Sequence, residues 1–357
     1  MKESAPKRIN LALQGGGSHG AFTWGVLERL LEEPKLQIDS ISGTSAGAMN
    51  AVVLADGLNR CKGRSRAEAA AGASKHLEDF WLAVSKAARG SVVQRSPLNR
   101  LMGDWSLNDS WGYHFSESMS RLFSPYQLNP LNINPLKDLL ESVVDFDSVN
   151  RCDAIQVFIS ATNVHTGRVK VFDQNNISAD VVLASACLPQ MFKAVEIDGV
   201  PYWDGGYMGN PSLFPFREHT DTADIVVVQI NPLERLSTPT TPHEIQDRLN
   251  EINFNGSLLK ELRSIDFVSR LLDDGRLDES DYRRERVHII ENQKELLPLG
   301  ASSKLNAEWA FLSHLRKIGR DTADSWIDKH LAQVGVASSV DLRAMFEGTG
   351  PQSASSG

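Results

Sequence analysis

Two glycine-rich segments near the start of the chain have the composition of sites that bind or generate negative charge. The segment "LALQGGGSHGAF" holds Gly15, Gly16, Gly17 and Gly20 after a short apolar run. Successive amides at the start of a helix attract an anion, through their N–H groups and the helix dipole. The segment Gly43-Thr44-Ser45-Ala46-Gly47 is a G-x-S-x-G pattern. Between a strand and a helix this pattern is typical of a nucleophile elbow, which exposes the serine hydroxyl at a sharp turn.

The first glycine segment alone supports two interpretations. It fits the G-x-G-x-x-G turn of a dinucleotide site, and it fits an oxyanion hole for acyl transfer. A dinucleotide site also needs an acidic residue at the end of the second strand. Asp39 has about the right spacing, but we expect it to precede that strand, whose end is occupied by Ser45. The elbow therefore favours a hydrolase over an NAD-dependent oxidoreductase.

A nucleophilic serine needs a base, and the best candidate is an aspartate. The chain has nine histidines, and none lies in a segment with catalytic context. Asp204 ends a predicted hairpin strand in "YWDGGYMGNP" and is followed by Gly205 and Gly206. The two glycines allow the backbone to turn sharply and bring the carboxylate against another segment. A plain turn is the alternative for this Asp-Gly pattern.

The elements that would hold these residues alternate between strands and helices. Helical periodicity follows the first glycine segment and the elbow, at 21–33 and 46–58. The predicted strands and hairpins are 9–13, 40–43, 154–162, 167–173, 193–206, 223–230 and 286–291, and further helices are predicted over 65–88, 135–144, 179–187, 243–274 and 304–335. This order predicts the α/β class with a mostly parallel sheet.

Three motifs in order make the chain resemble the patatin-like phospholipase family. They are G-G-G-x-x-G, G-T-S-A-G and D-G-G, and the run "SACLPQMFKAVEIDGVPYWDGG" is also similar to that family. The resemblance covers roughly residues 8–232. It implies a three-layer α/β/α fold and a dyad without histidine, in which Ser45 is the nucleophile and Asp204 the base. It also implies an oxyanion hole formed by the amides of Gly15, Gly16 and Gly17.

The resemblance implies a serine acyl hydrolase acting on phospholipids, lysophospholipids or other lipid esters. A lipid-binding or regulatory module on a degenerate fold is the alternative. One position departs from the family, which commonly has Arg or Lys where this chain has His19. We expect a neutral His19 to donate a hydrogen bond and to titrate, so it bears on headgroup preference and pH behaviour.

Composition limits the cofactors, partners and compartment. A formal charge of −8 argues against nucleic acid, which requires a basic face. Three widely spaced cysteines suggest a cytoplasmic protein without disulfides. No acidic or histidine cluster has metal-ligand spacing, so we expect neither a metal nor another cofactor. A lipid or acyl ester is the expected partner, with transient contact to a membrane surface, and no run of 18 apolar residues predicts a membrane span.

The chain divides into three parts on these patterns. We expect a catalytic domain over 8–232, a helical extension with one added strand over 233–348 packed on the same domain, and a disordered tail over 349–357. Residues 97–131 form an irregular insertion in which six aromatic residues lie between Trp105 and Tyr126. We expect a lid or acyl-pocket wall there, with Trp105 and Trp111 as contacts. The alternative is that these rings pack the insertion onto the core.

Overall fold

A computed structural model describes residues 5–91 and 93–348 of the chain. The strands in this part are β1 (Lys7–Leu13), β2 (Leu36–Gly43), β3 (Gln156–Asn163), β4 (Val169–Phe172), β5 (Val195–Ile197), β6 (Val200–Asp204), β7 (Asp224–Val228) and β8 (Arg286–Ile290). The α-helices are α1 (Gly20–Glu32), α2 (Ala46–Arg60), α3 (Arg66–Ala88), α4 (Pro97–Met102), α5 (Trp111–Leu122), α6 (Pro125–Leu128), α7 (Pro135–Val143), α8 (Phe146–Asn150), α9 (Ala179–Ser185), α10 (Phe214–His219), α11 (Pro242–Asp273), α12 (Gln293–Leu296), α13 (Trp309–His330) and α14 (Leu342–Glu347). The predicted tail at 349–357 lies outside the described residues.

The eight strands form one sheet in the order β5-β6-β3-β2-β1-β7-β8, with β4 paired to β3. The pairs β3-β2, β2-β1, β1-β7 and β7-β8 are parallel, whereas β4, β5 and β6 run antiparallel to their neighbours. Parallel strands must be covered on both faces, which explains why residues 9–13 of β1 and all of β7 are buried.

Helices cover both faces of the sheet, which gives three layers. One core lies between the sheet and α1, α2, α3, α9 and α13, and it takes Leu11 and Leu13 from β1. The other lies between the sheet and α10, α11 and α14, and it takes Ala12 from β1. Successive side chains of a strand point to opposite faces, so β1 supplies both cores. The expected three-layer α/β/α fold with a mostly parallel sheet is confirmed.

Two strand ends meet on β3. Gly43 of β2 is paired with Ile159, and Asp204 of β6 is paired with Ala161, two residues further along β3. Strand β4 pairs with Ile159 to Thr162, so it occupies the opposite edge of β3. Strands β2 and β6 therefore share one edge, and because they run in opposite directions their carboxyl ends face each other.

Residues 233–348 add elements to this same sheet and to both helical layers. Strand β8 pairs with β7, and Leu258 and Leu262 of α11 lie in the second core. Helix α13 crosses α1 at very short range. A Cβ on Gly319 would collide with the carbonyl oxygen of Phe22, and one on Gly25 would collide with the carbonyl oxygen of Arg316.

Several elements differ from the sequence expectations. Strand β2 begins at Leu36, so Asp39 lies inside this strand and does not precede it. Its carboxylate forms an ion pair with Arg8. The insertion at 97–131 is not irregular, because it contains α4, α5 and α6. These helices begin after Ser96, Ser110 and Ser124, which are residues that commonly cap helices. Because the three caps lie close together in the sequence, the helices between them are too short for a helical repeat of apolar residues to be recognised. Among the described helices, none is long and apolar enough to cross a bilayer.

We predict that Gly319→Ala lowers the free energy of unfolding by about 1–3 kcal/mol, because the added methyl group forces α1 and α13 apart. Gly256→Ala is the matched control, since it is also within a helix but its Cβ would meet nothing within 4 Å. There we expect a gain of about 0.5–1 kcal/mol from helix propensity. Urea denaturation of both variants measures the difference. Equal effects would contradict the close helix crossing.

Candidate active site

The elbow at Ser45 has the backbone geometry that its sequence predicts. Ser45 joins β2 to α2 with φ 53° and ψ −119°, a conformation that costs energy for a residue with a side chain. Neighbouring contacts hold it there. The Thr44 amide donates to the Leu13 carbonyl (3.3 Å), and the Ser45 amide donates to the Ser185 hydroxyl (2.9 Å). The serine therefore sits on a rigid turn at the end of the sheet.

The glycines of the elbow permit a close approach between α2 and the sheet. A Cβ on Gly47 would collide with the carbonyl oxygen of Leu13, and one on Gly43 would lie 2.7 Å from the backbone of Gly47. These glycines bring the first turn of α2 directly over the end of β1. The amide of Ala46 is at the start of this helix and makes no hydrogen bond within the described part of the chain.

Asp204 is the last residue of the second strand of the predicted hairpin. Its turn residues Asp198 and Gly199 have φ of 51° and 74°, as a two-residue hairpin turn with positive φ at both positions requires. The Asp204 amide donates to the Cys187 carbonyl (2.8 Å), and its own carbonyl accepts from the Thr162 hydroxyl (2.8 Å). Its carboxylate accepts from the Gly206 amide at 2.7 Å. The side chain thus has a fixed position beside the elbow.

Burial makes Asp204 a stronger base than a surface aspartate. It raises the pKa of this carboxyl to about 7, although the Gly206 amide, a hydrogen bond with the Ser45 hydroxyl and the charge of Lys304 act in the opposite direction. Burial, together with the nearby Asp204 charge, also raises the pKa of Cys187 to about 12. The thiol therefore stays protonated at neutral pH and is not in its nucleophilic thiolate form.

The glycine loop presents two unengaged amides beside Ser45. The Gly15 amide donates to Asn210 Oδ1 at 2.7 Å, which reduces the three predicted oxyanion donors to Gly16 and Gly17 in this conformation. Neither of these two amides makes a hydrogen bond to another described residue. Gly17 has φ 57°, the left-handed region that favours glycine, whereas Gly16 is extended with φ 171°.

The other predicted supporting glycines make close contacts around the site. A Cβ on Gly20 would lie 2.7 Å from that of Ala46, which packs the start of α1 against the elbow. Substituents on Gly205 or Gly206 would collide with the Ser160 carbonyl oxygen and with the Phe254 ring, respectively. These contacts place Asp204 between β3 and α11.

His19 does not titrate near neutral pH, contrary to the sequence expectation. Burial, together with the positive charges of Lys304 and Arg235, lowers its pKa to about 3. Its Nε2 lies 2.8 Å from the Ser303 hydroxyl. His19 is therefore a neutral residue that joins the glycine loop to the segment 301–305.

An apolar cavity of about 300 Å³ opens onto these groups. Its polar end contains Gly16, Gly17, Ser45 and Asp204. The rest of its lining is mostly hydrophobic, from Met49, Phe80, Trp81, Val84, Leu136, Ala186, Leu188, Met191, Phe192, Phe254 and Leu305. None of the histidine side chains that the structure describes lines it. The cavity can hold an acyl chain with its carbonyl carbon near the serine.

The sequence analysis missed four polar residues of the site. Ser185 and Asn210 accept hydrogen bonds from the elbow and loop amides, as given above. Asn231 Nδ2 donates to the Gly15 carbonyl oxygen at 2.7 Å, and Lys304 Nζ donates to Asn231 Oδ1 at 2.7 Å. Asn210 and Ser185 lie in segments close to the motifs, but Lys304 is a hundred residues beyond Asp204 and its sequence context carries no signal.

A serine, a histidine and an aspartate also meet elsewhere in the chain. His288 Nε2 lies 3.1 Å from Asp224, and its Nδ1 lies 3.1 Å from the Ser339 hydroxyl. This arrangement is structural. The Asp224 carboxylate also binds Arg286 and the Gly335 amide, so the group anchors the segment after α13 to β7 and β8.

The two tryptophans of the insertion have different environments, and neither lines the cavity. Trp105 packs against Phe311 and His314, with Arg95 over its ring at 4.3 Å. The expectation of a cavity contact is therefore wrong for Trp105, whose ring holds the insertion on α13. Trp111 is 78% exposed and stacks on Phe115 at 5.3 Å between ring centroids. It faces outward from the first turn of α5.

The described residues contain no group of three or more His, Cys, Asp or Glu side chains arranged to hold a metal ion. The chemistry that these residues themselves offer is nucleophilic attack by Ser45, proton transfer by Asp204 and hydrogen bonding to an anion by loop amides. At the first glycine motif, which resembles a dinucleotide turn, the space beside Gly15 is occupied by the elbow and by Asn210.

Comparison with known proteins agrees with this geometry. Residues 11–217 match the family model for patatin-like phospholipase. Solved structures similar to this chain include VipD from Legionella pneumophila, at 17% identity and TM-score 0.39, covering 92% of this chain and 68% of VipD. The type III effector ExoU is similar at 16% identity and TM-score 0.36, and the match spans 91% of this chain and about half (54%) of ExoU. Among curated protein sequences, no relative is found.

We predict that Gly17→Ala lowers the melting temperature, whereas Gly16→Ala changes it little. A left-handed φ costs an alanine about 1–2 kcal/mol, and a Cβ on Gly17 would also meet the Lys304 carbonyl. A Cβ on Gly16 would meet only the movable end of the Ile230 side chain, at 2.8 Å. Differential scanning calorimetry compares the two. Equal melting temperatures would contradict the observed loop conformation.

Proposed function

The chain belongs to the patatin-like phospholipase family, and from this premise we propose that it hydrolyses lipid carboxylic esters with a Ser45–Asp204 dyad. The observation that carries the proposal is the position of Ser45 on a strained elbow, beside a buried aspartate and two unengaged amides at the polar end of an apolar cavity. Phospholipase A or lysophospholipase-like activity is the proposed specificity.

In the first half of the reaction, Asp204 accepts the Ser45 hydroxyl proton while Oγ forms a bond to the ester carbonyl carbon. A pKa near 7 suits this step, because about half of the carboxyl groups are ionised at neutral pH and the carboxylate is basic enough to take the proton. The carbonyl oxygen becomes the oxyanion, which the amides of Gly16 and Gly17 bind, and each such donor contributes about 3–4 kcal/mol. Collapse breaks the ester C–O bond, and Asp204 returns the proton to the departing alcohol.

In the second half, water attacks the acyl–Ser45 ester. Asp204 accepts a proton from this water, and the same amides bind the second oxyanion. Cleavage of the acyl–Oγ bond releases the fatty acid and returns the proton to Ser45. The polar groups thus act at one carbonyl in both steps, while the apolar lining holds the chain in place.

A pure lipid-binding or regulatory module is the competing proposal. It would need the same apolar cavity but no strain at Ser45 and no buried carboxylate. The φ of 53° at Ser45 and the burial of Asp204 both cost free energy that packing alone does not require. Such costs are typical of active sites, and they favour the hydrolase.

We predict that Ser45→Ala reduces ester hydrolysis by several orders of magnitude without unfolding the protein. Asp204→Asn has the same effect on turnover, since an amide cannot accept the serine proton.

We predict that kcat/KM of the parent protein rises with pH through about 7, because the aspartate must be ionised to act. The measurement is hydrolysis of acyl esters of different chain length and headgroup, with labelling of Ser45 by a fluorophosphonate. Turnover near the parent value in Ser45→Ala would refute the nucleophile, and the absence of any labelling in the parent would favour the binding module.

We also propose that the insertion contacts lipid surfaces through its outward aromatic face. The Tyr126 hydroxyl accepts from the Ala194 amide (3.3 Å), and Lys193 Nζ donates to the Pro130 carbonyl (2.9 Å). The insertion is thereby held beside Met191, which lines the cavity. Several large apolar residues of the insertion are exposed, namely Leu101, Met102, Trp111, Phe115, Leu122, Phe123, Tyr126, Leu128 and Leu131.

We predict that zwitterionic phospholipid vesicles shift the tryptophan emission to the blue and that Trp111→Ala removes most of this shift, since amphipathic rings partition into the bilayer interface. Trp105→Ala is the control, because that ring is already packed against α13 and its loss should lower stability instead. An unchanged shift in Trp111→Ala would contradict the membrane contact. Sedimentation with vesicles provides a second measurement of binding.

A further inference from the structure

Lys304 brings a positive charge to the active-site cavity from a distant part of the chain. It lies in the short 3-10 helix Ala301–Leu305, well beyond residues 11–217 that match the family. Its side chain lines the cavity together with Gly17, Ser45 and Asp204. The three sequence motifs of the site are therefore not sufficient to build it, because one wall comes from the residues after β8.

The Lys304 side chain is connected to the glycine loop through Asn231. Lys304 Nζ donates to Asn231 Oδ1 at 2.7 Å, and Asn231 Nδ2 donates to the carbonyl oxygens of Gly15 (2.7 Å) and the Gln14 side chain (3.2 Å). The backbone carbonyl of Lys304 also packs against Gly17. One residue thus contacts both ends of the loop that carries the Gly16 and Gly17 amides.

Burial lowers the pKa of the Lys304 ammonium, and the charges of Glu251, Asp247 and Asp204 act in the opposite direction without a direct ion pair. No carboxylate of a described residue lies within 4.0 Å of Lys304 Nζ, and the nearby Glu251 is bound to Arg235 and Arg248. The charged and titratable groups that face Lys304 are Asp204, Asp247, Glu251, Arg235 and His19. Those that face Asp204 are Lys304, the Ser45 hydroxyl, the Tyr207 phenol and the Cys187 thiol.

We propose that Lys304 is a positioning residue of the Ser45–Asp204 site, which fixes the glycine loop through Asn231 and supplies a positive charge beside Asp204 and the amides that bind the oxyanion. This role rests on the proposed hydrolase function. His19 cannot supply that charge, since it is buried and neutral. Lys304 lowers the pKa of Asp204 against the larger effect of burial, so removing the ammonium raises that pKa further.

The main test is the pH dependence of kcat/KM in Lys304→Met, with a neutral short-chain ester as substrate. We expect kcat/KM at pH 7 to fall about tenfold or more and the acid limb of the profile to move up by about one pH unit. Lys317→Met is the control, because Lys317 is exposed on α13 and pairs only with Asp321 there. Its profile should match that of the parent. Melting temperatures of all variants show that the fold is retained.

Two further variants separate the charge from the contact. Lys304→Arg keeps the charge and should restore the acid limb towards its parent position. Asn231→Ala leaves the charge but removes the link to Gly15, so it should lower kcat without moving the acid limb. A structural role in folding alone would lower the melting temperature and leave both the acid limb and kcat per folded molecule unchanged.

The outcomes distinguish this inference from the proposed function. If the parent hydrolyses no ester and a fluorophosphonate does not label Ser45, the hydrolase function itself is wrong. If the parent is active and Ser45-dependent, but Lys304→Met keeps the parent acid limb and a kcat within about twofold, the role of Lys304 is overturned and the function stands.

Discussion

The carboxyl ends of β2 and β6 face each other on one edge of β3, and the whole site depends on this meeting. Ser45 follows β2 and Asp204 ends β6, so residues 159 positions apart lie side by side. The geometry requires one parallel and one antiparallel neighbour on the same edge. The hairpin of β5 and β6 thus supplies the antiparallel neighbour that brings Asp204 to the elbow.

The second constraint is electrostatic. A carboxylate buried beside an apolar cavity is costly, and the rise of the Asp204 pKa to about 7 expresses that cost. The Gly206 amide, the Ser45 hydroxyl and the distant Lys304 charge offset part of it. The result is a carboxyl group with a pKa near neutral pH in a cavity that no described histidine lines. His19, the nearest histidine to the loop in sequence, is kept neutral by the same burial and by the same lysine.

The cavity has a polar end and apolar walls, which different elements of the fold build. Its polar end is built by the ends of β1, β2 and β6, whereas its apolar walls come from helices and from the segment around Met191. The insertion extends this apolar character to the surface beside the cavity. Trp105 anchors it through Phe311 and Arg95, and this leaves the face that carries Trp111 and Phe115 exposed. Trp105 thus attaches the insertion to the rest of the protein, whereas Trp111 and Phe115 form its exposed surface.

The sequence by itself determined the α/β class, the elbow at Ser45 and the hairpin that ends at Asp204. Local rules sufficed there, because a G-x-S-x-G between strand and helix and an Asp-Gly hairpin turn specify their own backbone geometry. The helices of the insertion were missed, since short capped helices carry little periodicity. Only the tertiary structure decided that Gly15 binds Asn210, that His19 is neutral and that Lys304 reaches the cavity. Burial and charge–charge distances set these properties, and they arise only when segments far apart in the chain are packed together.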